Sequence, residues 1–253
     1  MDVSVKTERQ LPTRWDAVVF GAKAWCLRVQ RRLSDLGEEL RRWPIESGGE
    51  GVWQDVHAIR TPLWTEDNDA ERELELGKVQ NLRRAAELLN GVVVAEGGVF
   101  SFWRQVGKTT AARGFRVGRM LQQGCVVPAV GGGICQLTNA LYETALRSGC
   151  AIVERHGHSV RMPHAPVHDA TVAWNYVDLR FRARQAMRVR VLVDADAMTV
   201  AVQYREPARY RPTQLQVQGA ELPVVSVRSC TSCGETSCFR HEAKPVTPGS
   251  KSK

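Results

Sequence analysis

Residues 130–139 read Val-Gly-Gly-Gly-Ile-Cys-Gln-Leu-Thr-Asn, and the predicted fold is built outward from this segment. Three successive glycines allow backbone conformations that any side chain would forbid. Apolar residues then recur at helical spacing, with Ile134, Leu137 and Leu141 on one side. The pattern predicts a Gly-rich turn followed by a helix from about Ile134 to Arg147, which Gly149 would end.

Cys135 falls in the first turn of that helix, on the face shared with Thr138, Asn139 and Tyr142. Free N–H groups and the positive end of the helix dipole favour a thiolate there. A thiol with a lowered pKa is what a nucleophile needs at neutral pH. Free cysteines also serve as small core residues, and these residues alone leave both interpretations open.

A thiol nucleophile requires a base, and the segment around 154–159 offers His156 and His158. If the segment is a strand, both imidazoles point to the same face. We prefer His158 slightly because it ends the apparent strand, where a cleft residue is expected. Asp169 is the candidate that would orient the base.

The rest of the chain predicts an α+β fold. A helix is expected over 67–90, a strand–turn–strand over 92–102, and a β-rich half beyond residue 150. Within that half, 187–193 and 198–204 flank Asp194–Ala197 and predict a hairpin. A last strand is expected over 222–227.

Residues 1–44 predict a basic amphipathic helix that ends before Pro44. An apolar stripe at helical spacing runs through Trp15, Val18, Ala22, Trp25, Val29, Leu33, Leu36 and Leu40. We expect this helix to pack on the main domain; the alternative is peripheral contact with an anionic membrane. Residues 45–59 are interpreted as a linker.

The 253-residue chain carries 35 Lys and Arg against 27 Asp and Glu, a formal net charge of +8. No stretch approaches the ~20 uninterrupted apolar residues of a membrane span. The basic residues are scattered, and no nucleic-acid-binding motif is evident. The first residues lack a basic segment followed by an apolar one, so we expect no secretory signal and a cytoplasmic location.

Residues 206–243 are expected to hold that last strand and a Cys-rich metal-binding segment, followed by a disordered basic tail over 244–253. The candidate ligands are Cys230, Cys233, Cys238 and His241. A Cys3His set suits a structural zinc ion, and an iron–sulfur cluster or unliganded thiols are the alternatives. Such a tail would also suit a protein partner.

Several motifs, in this order, resemble the VanW family, which was first named from vancomycin-resistance gene clusters. They are VFSF at 99–102, VG at 106–107, RGF at 113–115, VGGGICQ at 130–136, LY at 141–142, IVERHGHS at 152–159 and DATV at 169–172. The resemblance covers about 60–205, which we take as the VanW-like domain.

The resemblance implies chemistry like that of cysteine-dependent L,D-transpeptidases, with a peptide or cell-wall precursor as substrate. Cys135 would then be the nucleophile, and His156 or His158 the base. The turn Gly131, Gly132 and Gly133 would supply oxyanion donors. Gln136, Asn139 and Arg155 are further substrate-binding candidates. The rival interpretations are a non-catalytic binding or scaffold module and an iron–sulfur redox protein.

Overall fold

The computed structural model describes residues 13–48, 52–65, 68–122, 124–158, 169–209, 228–235 and 237–240. Within these ranges the helices are α1 (Arg14–Ser34), α2 (Arg72–Leu89), α3 (Phe102–Val106) and α4 (Cys135–Arg147). The strands are β1 (Gln54–Pro62), β2 (Val92–Val94), β3 (Val99–Ser101), β4 (Val117–Gln122), β5 (Cys125–Val130), β6 (Ala151–Glu154), β7 (Arg180–Arg182), β8 (Met187–Val193), β9 (Ala197–Tyr204) and β10 (Arg228–Ser229). The predicted α+β class is confirmed.

The described strands form three sheets whose neighbours are mostly antiparallel. One has the order β1-β9-β8-β2, a second β10-β5-β4 and a third β3-β7-β6. The predicted hairpin is present as β8 and β9, closed by a backbone hydrogen bond from Asp194 to Ala197. The two strands predicted over 92–102 also form, but β2 pairs with β8 and β3 with β7. They therefore belong to different sheets.

The core lies between the sheets and the helices α2 and α4. Leu82 and Leu89 on α2, and Leu137 and Leu141 on α4, have at most 1% of their surface exposed. Fully burying one leucine contributes about 1.5–3 kcal/mol. This burial explains why the apolar periodicity of both helices predicted them correctly, and it fixes the rotation of α4 about its axis.

The predicted linker over 45–59 is wrong, because its second half is a strand. β1 begins at Gln54 and pairs antiparallel with β9 along its length, while Ile45 forms a β-bridge with Val92. The pairing partner lies more than 130 residues away in sequence. Local composition around the glycines of 48–51 could not reveal it.

Helix α1 is shorter than predicted and packs with a different face. It ends at Ser34, and a single 3₁₀ turn over Asp35–Gly37 follows it. A capping box between Thr13 and Asp16 begins it. The helix contacts the domain, as expected, but its apolar stripe is exposed, so the contact is made by another face. No helix in the described ranges has the length and apolar character needed to cross a bilayer.

The C-terminal segment returns to the domain through β10, which pairs parallel with β5. The amide of Cys230 donates to the carbonyl of Val126 at 2.9 Å. The strand predicted over 222–227 and the tail over 244–253 lie outside the described residues.

Candidate functional site

The Gly-rich turn places Cys135 as the first residue of α4. Gly131 and Gly133 have φ angles of 82° and 93°, a region that side chains rarely adopt. A Cβ atom on Gly133 would lie 2.0 Å from Cγ of Lys78, and one on Gly132 would lie 2.4 Å from the carbonyl carbon of Gly118. Glycine is therefore required here for close packing as well as for conformation.

A buried ion pair between Lys78 and Glu75 lies next to this turn. Nζ of Lys78 contacts Oε1 of Glu75 at 2.5 Å and donates to Oγ1 of Thr65 at 2.7 Å. Burial alone would raise the pKa of Glu75, but Lys78, the Thr65 amide and Arg119 together lower it. These groups together stabilise the ionised Glu75 carboxylate. The side chain of Lys78 also packs against Gly133 of the turn.

The structure brings Cys135, His158 and Asp169 together. Nδ1 of His158 lies 2.8 and 2.9 Å from the two carboxylate oxygens of Asp169, and the His158 amide donates to the same carboxylate at 2.5 Å. The imidazole also lies close enough to Cys135 to lower the pKa of its thiol. We call these three residues the relay.

The electrostatics of the relay favour a thiolate facing an imidazolium. Burial opposes ionisation of Cys135, but His158, together with Thr171 and the Val172 backbone, outweighs it and lowers the thiol pKa. Burial would lower the pKa of His158, whereas Asp169 and Cys135 raise it to about 10. Cys150 shows the opposite case, since burial raises its pKa to about 12.

Helix α4 positions the segment that carries Asp169. Oγ1 of Thr138 donates to the Ala170 carbonyl at 2.5 Å, and Oδ1 of Asn139 accepts from the Ala170 amide at 2.7 Å. The Asn139 side chain therefore binds this backbone, and its contribution to the site is to hold the segment that carries Asp169 in place.

Sequence reasoning missed Thr171 as a site residue. Its hydroxyl lies 3.5 Å from the Cys135 sulfur, and the Val172 carbonyl lies 4.0 Å from the same atom. The usable signal was spacing, because residues two apart in an extended segment point to one side. Thr171 therefore lies on the same side of this segment as Asp169.

His156 does not join the relay. Its ring contacts Oε1 of Glu154 at 3.2 Å, and the side chain is half exposed. The condition under which both imidazoles would share one face is not met, because β6 ends at Glu154, before both histidines. Arg155 lies beside the relay, where its Nε donates to the Asp169 carbonyl at 2.6 Å and its guanidinium stacks over Tyr142.

Several of the remaining predicted residues form hydrogen bonds with other parts of the domain. The amides of Gly131 and Gly132 donate to the carbonyls of Arg116 and Ala129, so neither is available to an oxyanion. Gln136 donates to the carbonyl of Pro62. Within the described residues, the amide of Gly133, the third predicted oxyanion donor, has no hydrogen-bond acceptor, and neither do those of Ile134 and Cys135 at the start of α4.

The predicted metal ligands are only partly described, since His241 lies outside the described ranges. Cys238 is buried, whereas Cys230 and Cys233 are partly exposed. Among the residues that the structure describes, no three His, Cys, Asp or Glu side chains converge closely enough to hold a metal ion. The zinc and iron–sulfur interpretations remain predictions.

Comparison with known proteins shows which family the chain belongs to. A family described as VanW like protein matches residues 77–205, which include the Gly-rich turn and the whole relay. The chain belongs to this VanW-like family. An uncharacterized protein of Bacillus subtilis, YoaR, is 35% identical over 103 residues, and the vancomycin B-type resistance protein VanW of Enterococcus faecalis is 34% identical over 111 residues.

The similarity to these two relatives is partial on both sides. It covers 40% of this chain and 34% of YoaR, and 42% of this chain and 40% of the Enterococcus protein. The chain thus spans between a third and two fifths of the relatives it matches. No solved structure matches it.

Proposed function

We propose that this VanW-like protein is a cysteine-dependent acyl transferase or amidase that acts on a peptide or cell-wall precursor. One observation carries the proposal: Asp169 holds the His158 imidazole through Nδ1, and this imidazole lies close enough to Cys135 to lower the pKa of its thiol. This arrangement combines the three groups that an activated nucleophile uses, which are a thiol, a base and a carboxylate that orients the base.

In the proposed reaction the Cys135 thiolate attacks an amide carbonyl and forms a C–S bond. The carbonyl oxygen becomes an oxyanion, which the amides of Gly133, Ile134 and Cys135 would stabilise. The C–N bond then breaks while the His158 imidazolium gives its proton to the departing amine. A thioester on Cys135 remains.

A second nucleophile completes the cycle. An amine or a water molecule attacks the thioester, His158 accepts its proton, and the C–S bond breaks to regenerate the thiolate. An amine acceptor gives transfer, whereas water gives hydrolysis. Asp169 keeps the imidazole oriented in both half-reactions and stabilises its charged form.

Two features support a peptide or cell-wall precursor as the substrate. One relative is named as a vancomycin resistance protein, which relates the family to cell-wall chemistry. Arg155 adds an exposed positive charge beside the relay, and the carboxylates of stem peptides suit such a group. Arg155 would bind the substrate rather than take part in bond breaking.

Intact mass spectrometry tests the proposal directly. The protein is incubated with synthetic tetra- and pentapeptide fragments of the peptidoglycan stem, and the expected result is a mass increase equal to the acyl part, reversed by hydroxylamine. The Cys135→Ala variant should lack this adduct. Cys26→Ala is the matched control, because Cys26 is an exposed thiol on α1 and should leave the adduct unchanged. Equal adducts in all three proteins would refute the proposal.

A further inference from the structure

The face of α1 that points away from the domain is apolar. It carries Trp15, Val18, Ala22, Trp25, Val29 and Leu33, and the following 3₁₀ turn adds Leu36; we call this set the outer stripe. Trp15 is 72% exposed, and Trp25 and Leu33 are each 64% exposed. Large apolar side chains that share one exposed face mark an interaction surface more often than scattered ones do.

The helix is anchored by its opposite face, so the exposure of the stripe follows from specific contacts. Arg31 forms a bidentate ion pair with Glu154 and also donates to the Tyr176 carbonyl at 3.1 Å. Arg28 donates to the Trp174 carbonyl at 3.0 Å, and Ala24 is buried. At 3.6 residues per turn, Ala24 lies about half a turn of rotation away from Leu33. Turning the stripe inward would break these contacts.

The charges around the stripe select its partner. Of the five Lys and Arg residues of α1, Arg28 and Arg31 are used in the contacts with the domain, and the single acidic residue, Asp16, has its carboxylate engaged in the N-terminal cap. Lys23 and Arg32 flank the stripe on its two sides. Two copies meeting through this face would bring like charges together, which disfavours self-association. An anionic surface would instead be complementary.

We propose that the outer stripe binds in the plane of an anionic lipid bilayer. Apolar and tryptophan side chains enter the boundary between headgroups and acyl chains, while the flanking basic residues contact lipid phosphates. The 21-residue helix, roughly 31 Å long, lies flat on the surface. The inference is independent of the proposed chemistry at Cys135.

Co-sedimentation of the full chain with vesicles tests this. We expect binding to vesicles of equal parts phosphatidylglycerol and phosphatidylcholine, at least tenfold weaker binding to phosphatidylcholine alone, and weaker binding at 300 mM than at 50 mM salt. Trp25→Ser/Leu33→Ser should weaken binding at least tenfold. Lys23→Glu/Arg32→Glu should weaken binding to the anionic vesicles only.

The matched control is Trp64→Ser/Leu76→Ser, which removes one tryptophan and one leucine that are each 40% exposed outside α1. It should bind within twofold of the wild type. Equal binding by the stripe variant, or no binding of the wild type to anionic vesicles, would overturn the proposal. A wild-type dimer in light scattering that the stripe variant converts to a monomer would also overturn it, because the occupant would then be a second copy.

Thermal unfolding confirms that each variant is folded before its binding is compared. The alkylation rate of Cys135 separates this inference from the proposed function, because the stripe variants leave the relay intact. Loss of vesicle binding with an unchanged Cys135 rate is the expected combination. A stripe variant that alters both in parallel would indicate a general structural defect and would count against the proposal.

Discussion

Replacing His158 with glutamine removes the cation that faces the Cys135 thiol and keeps a polar side chain of similar length. We expect the pKa of Cys135 to rise, because the lowering influence of His158 is lost while the opposing effect of burial stays. Cys150 shows how far burial can raise the pKa of a thiol when few groups stabilise its thiolate, since its pKa is raised to about 12.

The size of the effect is taken from what one charge-assisted contact between an imidazolium and a thiolate contributes. A hydrogen bond to a charged group is worth about 1.5–3 kcal/mol, and about 1.4 kcal/mol corresponds to a tenfold change in the thiolate fraction. Alkylation proceeds through the thiolate. The rate at Cys135 should therefore fall about ten- to a hundredfold at pH 6.5.

The assay is isotope-coded iodoacetamide labelling with peptide mapping, which gives a separate rate for each cysteine. Cys26 is the exposed reference and Cys150 the buried one. His156→Gln is the matched control, because His156 contacts Glu154 and lies outside the relay; it should leave the Cys135 rate unchanged. An unchanged rate in His158→Gln, or wild-type Cys135 reacting no faster than Cys26, would refute the reasoning.

Three further predictions concern stability and metal content. The difference in unfolding free energy between wild type and Cys135→Ala/His158→Gln should fall as the pH rises from about 8.5 to about 10. An unfolded cysteine loses its proton near pH 8.5, whereas folded His158 keeps its proton up to about 10, so the folded chain binds the extra proton over this range; urea titrations at several pH values measure the difference, and no fall over this range would contradict the raised pKa of His158. Gly133→Ala should cost about 2–5 kcal/mol in the same assay, combining backbone strain with a clash on the Lys78 stem, whereas Gly97→Ala, with a φ angle of 75° and open space around it, should cost only about 1–2 kcal/mol. Elemental analysis of protein purified without chelators should find one zinc per chain, reduced in Cys230→Ser, and a chain free of both zinc and iron would exclude the metal-binding interpretation of the tail.

Local signals predicted those elements whose two faces differ strongly. Helix α4 formed over nearly the predicted range because Leu137 and Leu141 face the core and Gly149 ends it with a φ angle of 82°. The β8–β9 hairpin formed because Asp194 favours a turn between two apolar runs. Both elements depend on residues close together in sequence.

The candidate site was only partly predictable. Cys135, His158 and Asp169 were proposed from motif and spacing, but the choice between His156 and His158 depended on where β6 ends. The hydroxyl of Thr171 beside the sulfur depends on how Thr138 holds the Ala170 backbone. Such contacts join segments about 30 residues apart, and no local pattern encodes them.

The sequence by itself determined the mixed α and β character, the Gly-rich turn with its cysteine-bearing helix, and the apolar stripe of α1. Only the tertiary structure decided that β1 belongs to a sheet and that the stripe of α1 faces outward. The physical reason is that periodicity identifies an apolar face but not its partner. In α1, the ion pair of Arg31 with Glu154 and the bonds of Arg28 orient the helix, and these contacts exist only once distant strands have assembled.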